Sequence, residues 1–201
     1  MTTAAPLIYI ALPALDELEH LPVFIDCLRR QEYPRHRLFV CINQPDSWWD
    51  NVNKLECCMR NRSSLEYLYS IKDIDMTIID RSSKGKGWPE KQAGVGQARR
   101  LLMDAIAREA DTEDIILSLD ADTTFNPGYF SSIVAGFATA PDARAISVPY
   151  YHKLTGDEIK DRSILRYEIY MRYYAINLWR INCPYSFTAI GSAIALPVKS
   201  Y

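Results

Sequence analysis

The chain has 201 residues, 48% of them apolar and 24% charged, with a formal net charge of −2. This is enough chain to bury the core of one domain, and the proportions exclude a disordered or collagen-like protein. No global basic field is available for nucleic acid, because basic residues cluster only locally, at Arg29-Arg30 and between Lys84 and Lys91.

Leu7 to Leu12 is a short unbroken apolar run closed by Pro13, the pattern of a strand buried on both faces. No basic leader precedes it, so it reads as a strand and not as a signal peptide. From Glu17 to Gln31, Leu18, Leu21, Phe24, Ile25 and Leu28 recur at helical spacing, and Pro34 follows as a stop. Leu38 to Ile42 predicts a second strand, Asn51 to Ser70 contains a second helix, and Met76 to Ile79 predicts a third strand.

A polar loop leads to the stripe Val95, Ala98, Leu102 and Ala105, which predicts a helix up to Ala110. The strand Ile115 to Leu119 follows, then a helix over Phe130 to Phe137 and a fifth strand near Ala145 to Pro149. A long aromatic-rich helix over Asp157 to Arg180 precedes a last apolar run, Ala189 to Leu196. Its residues Tyr167, Tyr170, Tyr173, Tyr174 and Trp179 are expected to serve core and interface packing before lining any groove. The alternation of strands and helices predicts an α/β fold with a mostly parallel sheet and helices on both faces.

No segment reaches the roughly 18 unbroken apolar residues of a membrane span. Cys27, Cys41, Cys57, Cys58 and Cys183 are odd in number and show neither zinc nor redox spacing, so a reduced, cytoplasmic setting is expected. The end at Val198 to Tyr201, directly after a strand-like run, is read as the edge of a longer protein.

In such sheets ligands bind beyond the carboxyl ends of the strands, where strand order reverses. The residues that follow the strands therefore carry the candidate chemistry. Asp120-Ala121-Asp122 places two carboxylates at the mouth of an apolar strand, suited to a hard divalent cation, Mg²⁺ or Mn²⁺, whose shell diphosphate and water would complete. On pattern alone, a polar strand end with Asp122 capping the next turn is an equal reading. Asp73 and Asp75 form a similar pair before a strand, on the wrong sheet edge for a ligand, and read as a solvated turn.

Lys84 to Arg99 is glycine- and lysine-rich at a helix entry, where backbone N–H groups and the helix dipole favour phosphate and Lys91 and Arg99 could add charge. A flexible, solvated loop explains the same residues by themselves. After the first strand, Asp16 is expected to cap the helix, with Glu17 in its first turn; the functional alternative packs Pro13 to Glu17 against a nucleoside. His20, His36 and His152 are too scattered in sequence to suggest a metal cluster or a triad.

Taken together, these segments resemble the inverting family 2 glycosyltransferases of the GT-A, Rossmann-like fold over nearly the whole chain. The carriers are Ile8 to Glu17, with Asp16 where the family usually has asparagine; Lys91, Gly94, Ala98 and Arg99; Asp120-Ala121-Asp122; and Phe187 to Ala193, similar to the glycine segment beside sugar donor and acceptor. The second strand ends in Asn43-Gln44-Pro45-Asp46 where the family commonly has acidic residues, leaving Asp46 or Asp80 as substitutes. The family's Glu-Asp base motif would lie beyond Tyr201.

The resemblance implies one GT-A domain over 1–201, with a nucleotide-binding half over 1–123 and the start of an acceptor-side half over 124–201. It implies metal-dependent transfer of a sugar from a nucleoside diphosphate-sugar to a hydroxyl on a saccharide, lipid-linked or other acceptor. Pro13, Ala14, Glu17, Asn43, Asp46, Lys91, Gly94, Arg99 and Asp120 would contact the sugar donor, Asp122 and Asp120 the Mn²⁺ or Mg²⁺, and Gly191 and Ser192 the acceptor side. Nucleic acid is not expected as a partner, while peripheral membrane contact is left open through segments beyond the chain.

A nucleotidyltransferase is the rival enzyme, but its phosphate loop usually follows the first strand, and Pro13 to Glu17 holds no glycine or arginine. A non-catalytic nucleotide-sugar-binding module is the rival without chemistry. An NAD-dependent oxidoreductase fits poorly, because no Gly-x-Gly-x-x-Gly follows the first strand.

Overall fold

A computed structural model describes residues 5–186 and 192–201. Four apolar runs become parallel strands: β1 (Ile8–Ala14), β2 (His36–Asn43), β3 (Met76–Arg81) and β4 (Ile115–Ser118). β6 (Ile194–Pro197) joins β4 antiparallel, and β5 (Ile146–Ser147) pairs antiparallel with β6 at the edge. The strand order is β3-β2-β1-β4-β6-β5.

β1 and β4 are continuous apolar runs because both their faces are covered. On one face, Ile8, Ile10 and Leu12 meet Leu21, Phe24, Ile25 and Leu28 of helix α1 (Leu21–Arg29). Leu65 and Leu68 of α2 (Leu55–Ser70) and Phe130 and Ile133 of α4 (Tyr129–Thr139) complete that layer. On the other face, Tyr9, Ala11, Phe39, Cys41 and Ile116 meet Ala98, Leu102 and Ile106 of α3 (Val95–Ala107). Alternate residues of one strand thus serve two cores, as the period of two requires.

Three sequence expectations need correction. α1 begins at Leu21, not Glu17, and Asp16 does not cap it: Asp16 sits in the left-handed region at φ 63°, and the residue before the helix is His20. β5 shrinks to two residues, because an edge strand with one short partner has little ladder to join. The aromatic helix α5 (Glu158–Arg180) is not core: Glu168 is its only buried residue, while Tyr170, Tyr173 and Trp179 are 63%, 65% and 69% exposed.

Candidate nucleotide-sugar site

Chain order runs from β1 outward through β2 to β3, then returns to place β4 on the other side of β1. The loops after β1 and β4 therefore part company, leaving a crevice at the strand ends. A cleft of about 370 Å³ lies there, lined by Pro13, Ala14, Leu15, Glu17, Asn43, Val95, Asp120, Ala121 and Asp122. Residues far apart in sequence, and singled out from it, share this one wall: Pro13, Ala14 and Glu17 after β1, Asn43 at the end of β2, and Asp120 and Asp122 after β4.

The floor is fixed by amides. Asn43 Nδ2 donates to the Ala14 carbonyl at 2.9 Å and ties the ends of β1 and β2 together. Asn61 on α2 accepts from the Asp16 N–H at 2.8 Å and donates to Gln44 Oε1 at 2.7 Å. Both Asn61 and Gln44 are buried, so this network sets the path of the β1 loop from behind. Sequence reading missed these two; polar residues interrupting an apolar pattern were the only signal. Asn43 is itself 2% exposed, and its Oδ1 has no hydrogen-bond partner among the described residues. A buried acceptor beside a cleft, left without a donor, is costly unless a ligand supplies one.

Asp120 and Asp122 differ in their surroundings. Arg99, on α3, donates from Nη2 to Asp120 Oδ1 at 2.7 Å, and its Nε is buried without a partner among the described residues. Asp122 is exposed and makes no ion pair among the described residues. The turn after β4 is closed by the Thr123 N–H donating to the Asp120 carbonyl at 3.1 Å, which holds both carboxylates at the strand mouth. The described residues contain no cluster of three or more histidine, cysteine or acidic side chains suited to a metal. Asp120 and Asp122 at the strand mouth offer hard oxygen ligands, so remaining ligands to a cation would come from phosphate and water.

Gly94 precedes α3 at φ 144°, a conformation that a side chain would strain, and its neighbour Val95 lines the cleft. The first turns of α3 thus approach the site. Lys91, exposed in the short 3-10 turn Glu90–Gln92, does not line it.

Asp46 does not line the cleft either: its Oδ1 accepts from the Gly85 N–H at 2.7 Å, so the carboxylate organises the Lys84–Gly87 loop. Asp80 is likewise engaged, accepting from the Ser82 and Ser83 N–H groups at 3.0 and 2.9 Å and from Lys86 at 2.8 Å. Burial pushes the Asp80 carboxyl up, but hydrogen bonds from Lys86, Ser83 and Ser82 outweigh it and hold the group well below the usual carboxylate range. These two acids brace a loop that sequence reading assigned to phosphate or to solvent. Gly87 shows why the loop is tight: a Cβ there would lie 2.6 Å from the Asp46 nitrogen and 2.9 Å from the Gln44 oxygen.

Glu17 Oε2 accepts from the His20 ring at Nδ1, 2.6 Å away, and the carboxylate lines the cleft without capping α1. Ser192 is half-buried and does not line the cleft, and Gly191 lies outside the described residues. Asp73 and Asp75 are bound to Arg29 and Arg37 at 2.7 and 3.2 Å, at the opposite sheet edge.

Neither a family model nor a curated protein matches the sequence. Solved structures do match the fold. Glucosyl-3-phosphoglycerate synthase from Mycobacterium tuberculosis, in complex with Mn²⁺, uridine diphosphate and glucosyl-3-phosphoglycerate, superposes with a TM-score of 0.53 over 96% of this chain at 16% identity. S. aureus TarS 1–349 in complex with UDP-GlcNAc superposes with a TM-score of 0.51 over 75% of this chain at 12% identity. The chain has a GT-A glycosyltransferase fold. It spans 57% of the synthase and 36% of the TarS chain.

Proposed function

We propose that this GT-A chain forms the sugar-donor side of an inverting, metal-dependent glycosyltransferase that passes a sugar from a nucleoside diphosphate-sugar to a hydroxyl. The observation that carries this reading is the convergence of the β1, β2 and β4 ends on one cleft, with Asn43 Oδ1 at its wall and Asp122 at its mouth lacking, among the described residues, a hydrogen-bond partner and an ion pair respectively. Both structural neighbours carry a uridine nucleotide in their complexes, and one carries Mn²⁺. Uridine diphosphate is therefore the first ligand to test.

The residues divide the work by chemistry. Asn43 Oδ1 accepts an N–H from the base, its orientation fixed because its own amide N–H is spent on Ala14. Pro13, Ala14 and Leu15 give the base and ribose an apolar wall. Asp122, with the second carboxylate oxygen of Asp120, would hold Mn²⁺ or Mg²⁺, which when bound supplies positive charge for a departing diphosphate. Arg99 keeps Asp120 oriented and adds fixed positive charge on the same wall. Hydroxyl acceptors, saccharide or lipid-linked, belong on the side of Ser192 and β6. All five cysteines are free, which suits a reducing, cytoplasmic compartment.

Calorimetric titration of uridine, guanosine, adenosine and cytidine diphosphates and their sugars, with and without Mn²⁺, tests the reading on wild type and Asp122→Ala. Binding that strengthens with Mn²⁺, and loses that increment in Asp122→Ala, is the expected result. Failure of every nucleotide to bind, with metal present, would sink it.

A further inference from the structure

Helix α5 presents a surface that the fold leaves uncovered. Arg166, Ile169, Tyr170, Tyr173, Ile176 and Arg180 recur three or four residues apart and so fall on one face. All are exposed, and Ile169 and Tyr173 are each 65% open. Trp179 and Ile181, 69% and 73% exposed, extend the apolar surface at the helix end. A run of large apolar side chains this continuous is uncommon on a free surface and marks something that covers it.

The charges say what covers it. Arg166 and Arg180 form no ion pair among the described residues and stand at the two ends of the apolar stripe. From Ile169 to Tyr201 the sequence contains no aspartate or glutamate at all. The acids of α5 itself are confined to its first half: Glu158 is paired with Arg162 at 3.1 Å, Asp161 folds back on Thr155 and Gly156, and Glu168 is buried against His152 and Arg172. The chain as a whole is slightly acidic, so this cationic surface is local.

Tyrosine and tryptophan with arginine, apolar bodies carrying polar tips, make up the composition that settles at the headgroup level of a bilayer. No helix among the described residues is long and apolar enough to cross a membrane, so the contact would lie in the interface plane. We propose that the Arg166–Arg180 face of α5 docks on an anionic phospholipid surface. The contact does not depend on the sugar-donor reading and stands or falls separately from it.

Co-sedimentation of the full chain with phosphatidylserine–phosphatidylcholine vesicles, beside vesicles of phosphatidylcholine alone, tests the proposal. Wild type is expected to sediment with the anionic vesicles and to be released by salt, with a blue shift in emission that Trp179→Phe removes. Arg166→Gln with Arg180→Gln should weaken the partition about thirtyfold, since each basic residue near such a surface contributes on the order of 1 kcal/mol. Tyr173→Ser with Ile176→Ser should also lose it, and neither pair should lower the melting temperature, because these side chains are open to solvent. The proposal is overturned by absence of binding to anionic vesicles, by binding that ignores headgroup charge and the arginines, or by a wild-type dimer in solution that Tyr173→Ser with Ile176→Ser splits, which would show a second copy on the face.

Discussion

Strand β1 and the α5 arm both carry many apolar residues but meet opposite fates. In β1, every residue is buried, and Leu21, Phe24, Ile25 and Leu28 of α1 close over it. In α5, apolar residues occur all round the helix and yet one glutamate alone is buried. Apolar composition is thus not the same as core: β1 is enclosed because two helical layers meet its alternating faces, while α5 lies beside the β5 end and the segment around His152 with most of its side chains exposed. The difference also separates rigid from adaptable chemistry. At the cleft, hydrogen bonds hold Asn43 to the Ala14 carbonyl and Asp120 to Arg99.

Substitutions should expose this contrast. The largest effect is expected in the enclosed layer: Phe24→Ala removes a fully buried ring and should cost about 3–5 kcal/mol in urea unfolding. Tyr173→Ala on α5 should change stability by less than about 0.5 kcal/mol in the same assay. Equal losses at the two positions would break the comparison. Next comes Gly87→Ala, where the new methyl meets backbone of Asp46 and Gln44 and not a flexible side chain end. A loss of about 1–3 kcal/mol is expected. Gly94→Ala meets no atom and should carry only the strain of its backbone angle.

Within the cleft, Arg99→Leu should weaken nucleotide binding by about tenfold, because Asp120 loses a charge-assisted bond on the cleft wall. Unchanged affinity would remove Arg99 from the site.

Acid titration sharpens the comparison at the one anchored point of α5. The Glu168 carboxyl is held at about 2, below its ordinary 4.5, by the His152 backbone N–H, then by the His152 ring and by Arg172. A group held low in the folded state stabilises fully above its unfolded value and loses that contribution as pH falls towards the folded one. The stability difference between wild type and Glu168→Gln should therefore be constant above about pH 4.5 and shrink between pH 4.5 and 2. A difference that stays flat across that window would show that the carboxylate does not anchor the helix.

A small effect is also expected at Asp16. Its ion pair with Arg60, 2.5 Å long, is partly exposed and worth about 0–1 kcal/mol. Asparagine tolerates the left-handed backbone equally well. Asp16→Asn should hence shift the melting temperature by no more than about 2–4 °C.

Much of the architecture was legible in the chain. The unbroken runs at Ile8 to Leu12, Leu38 to Ile42 and Ile115 to Leu119 declared buried parallel strands, since only strands covered twice lack polar alternation. The helical stripe at Ala98 and Leu102 was equally plain. So were the strand-end positions of Pro13, Glu17, Asn43, Asp120 and Asp122, because a parallel sheet gathers such ends at one edge.

Tertiary structure decided the rest, wherever a polar side chain had a choice of partners. Asp16 looked like a helix cap, but Arg60, Asn61 and a left-handed backbone claim it from α2. Asp46 and Asp80 looked like ligand-binding acids, and backbone N–H groups of the Ser82–Gly87 loop take them instead. The Asn43 oxygen that lacks a partner among the described residues and the exposed face of α5 are invisible to periodicity for the same reason. Period and hydropathy are local and reveal which residues must leave water, whereas hydrogen-bond partners and the covering of a face depend on segments brought together only by folding.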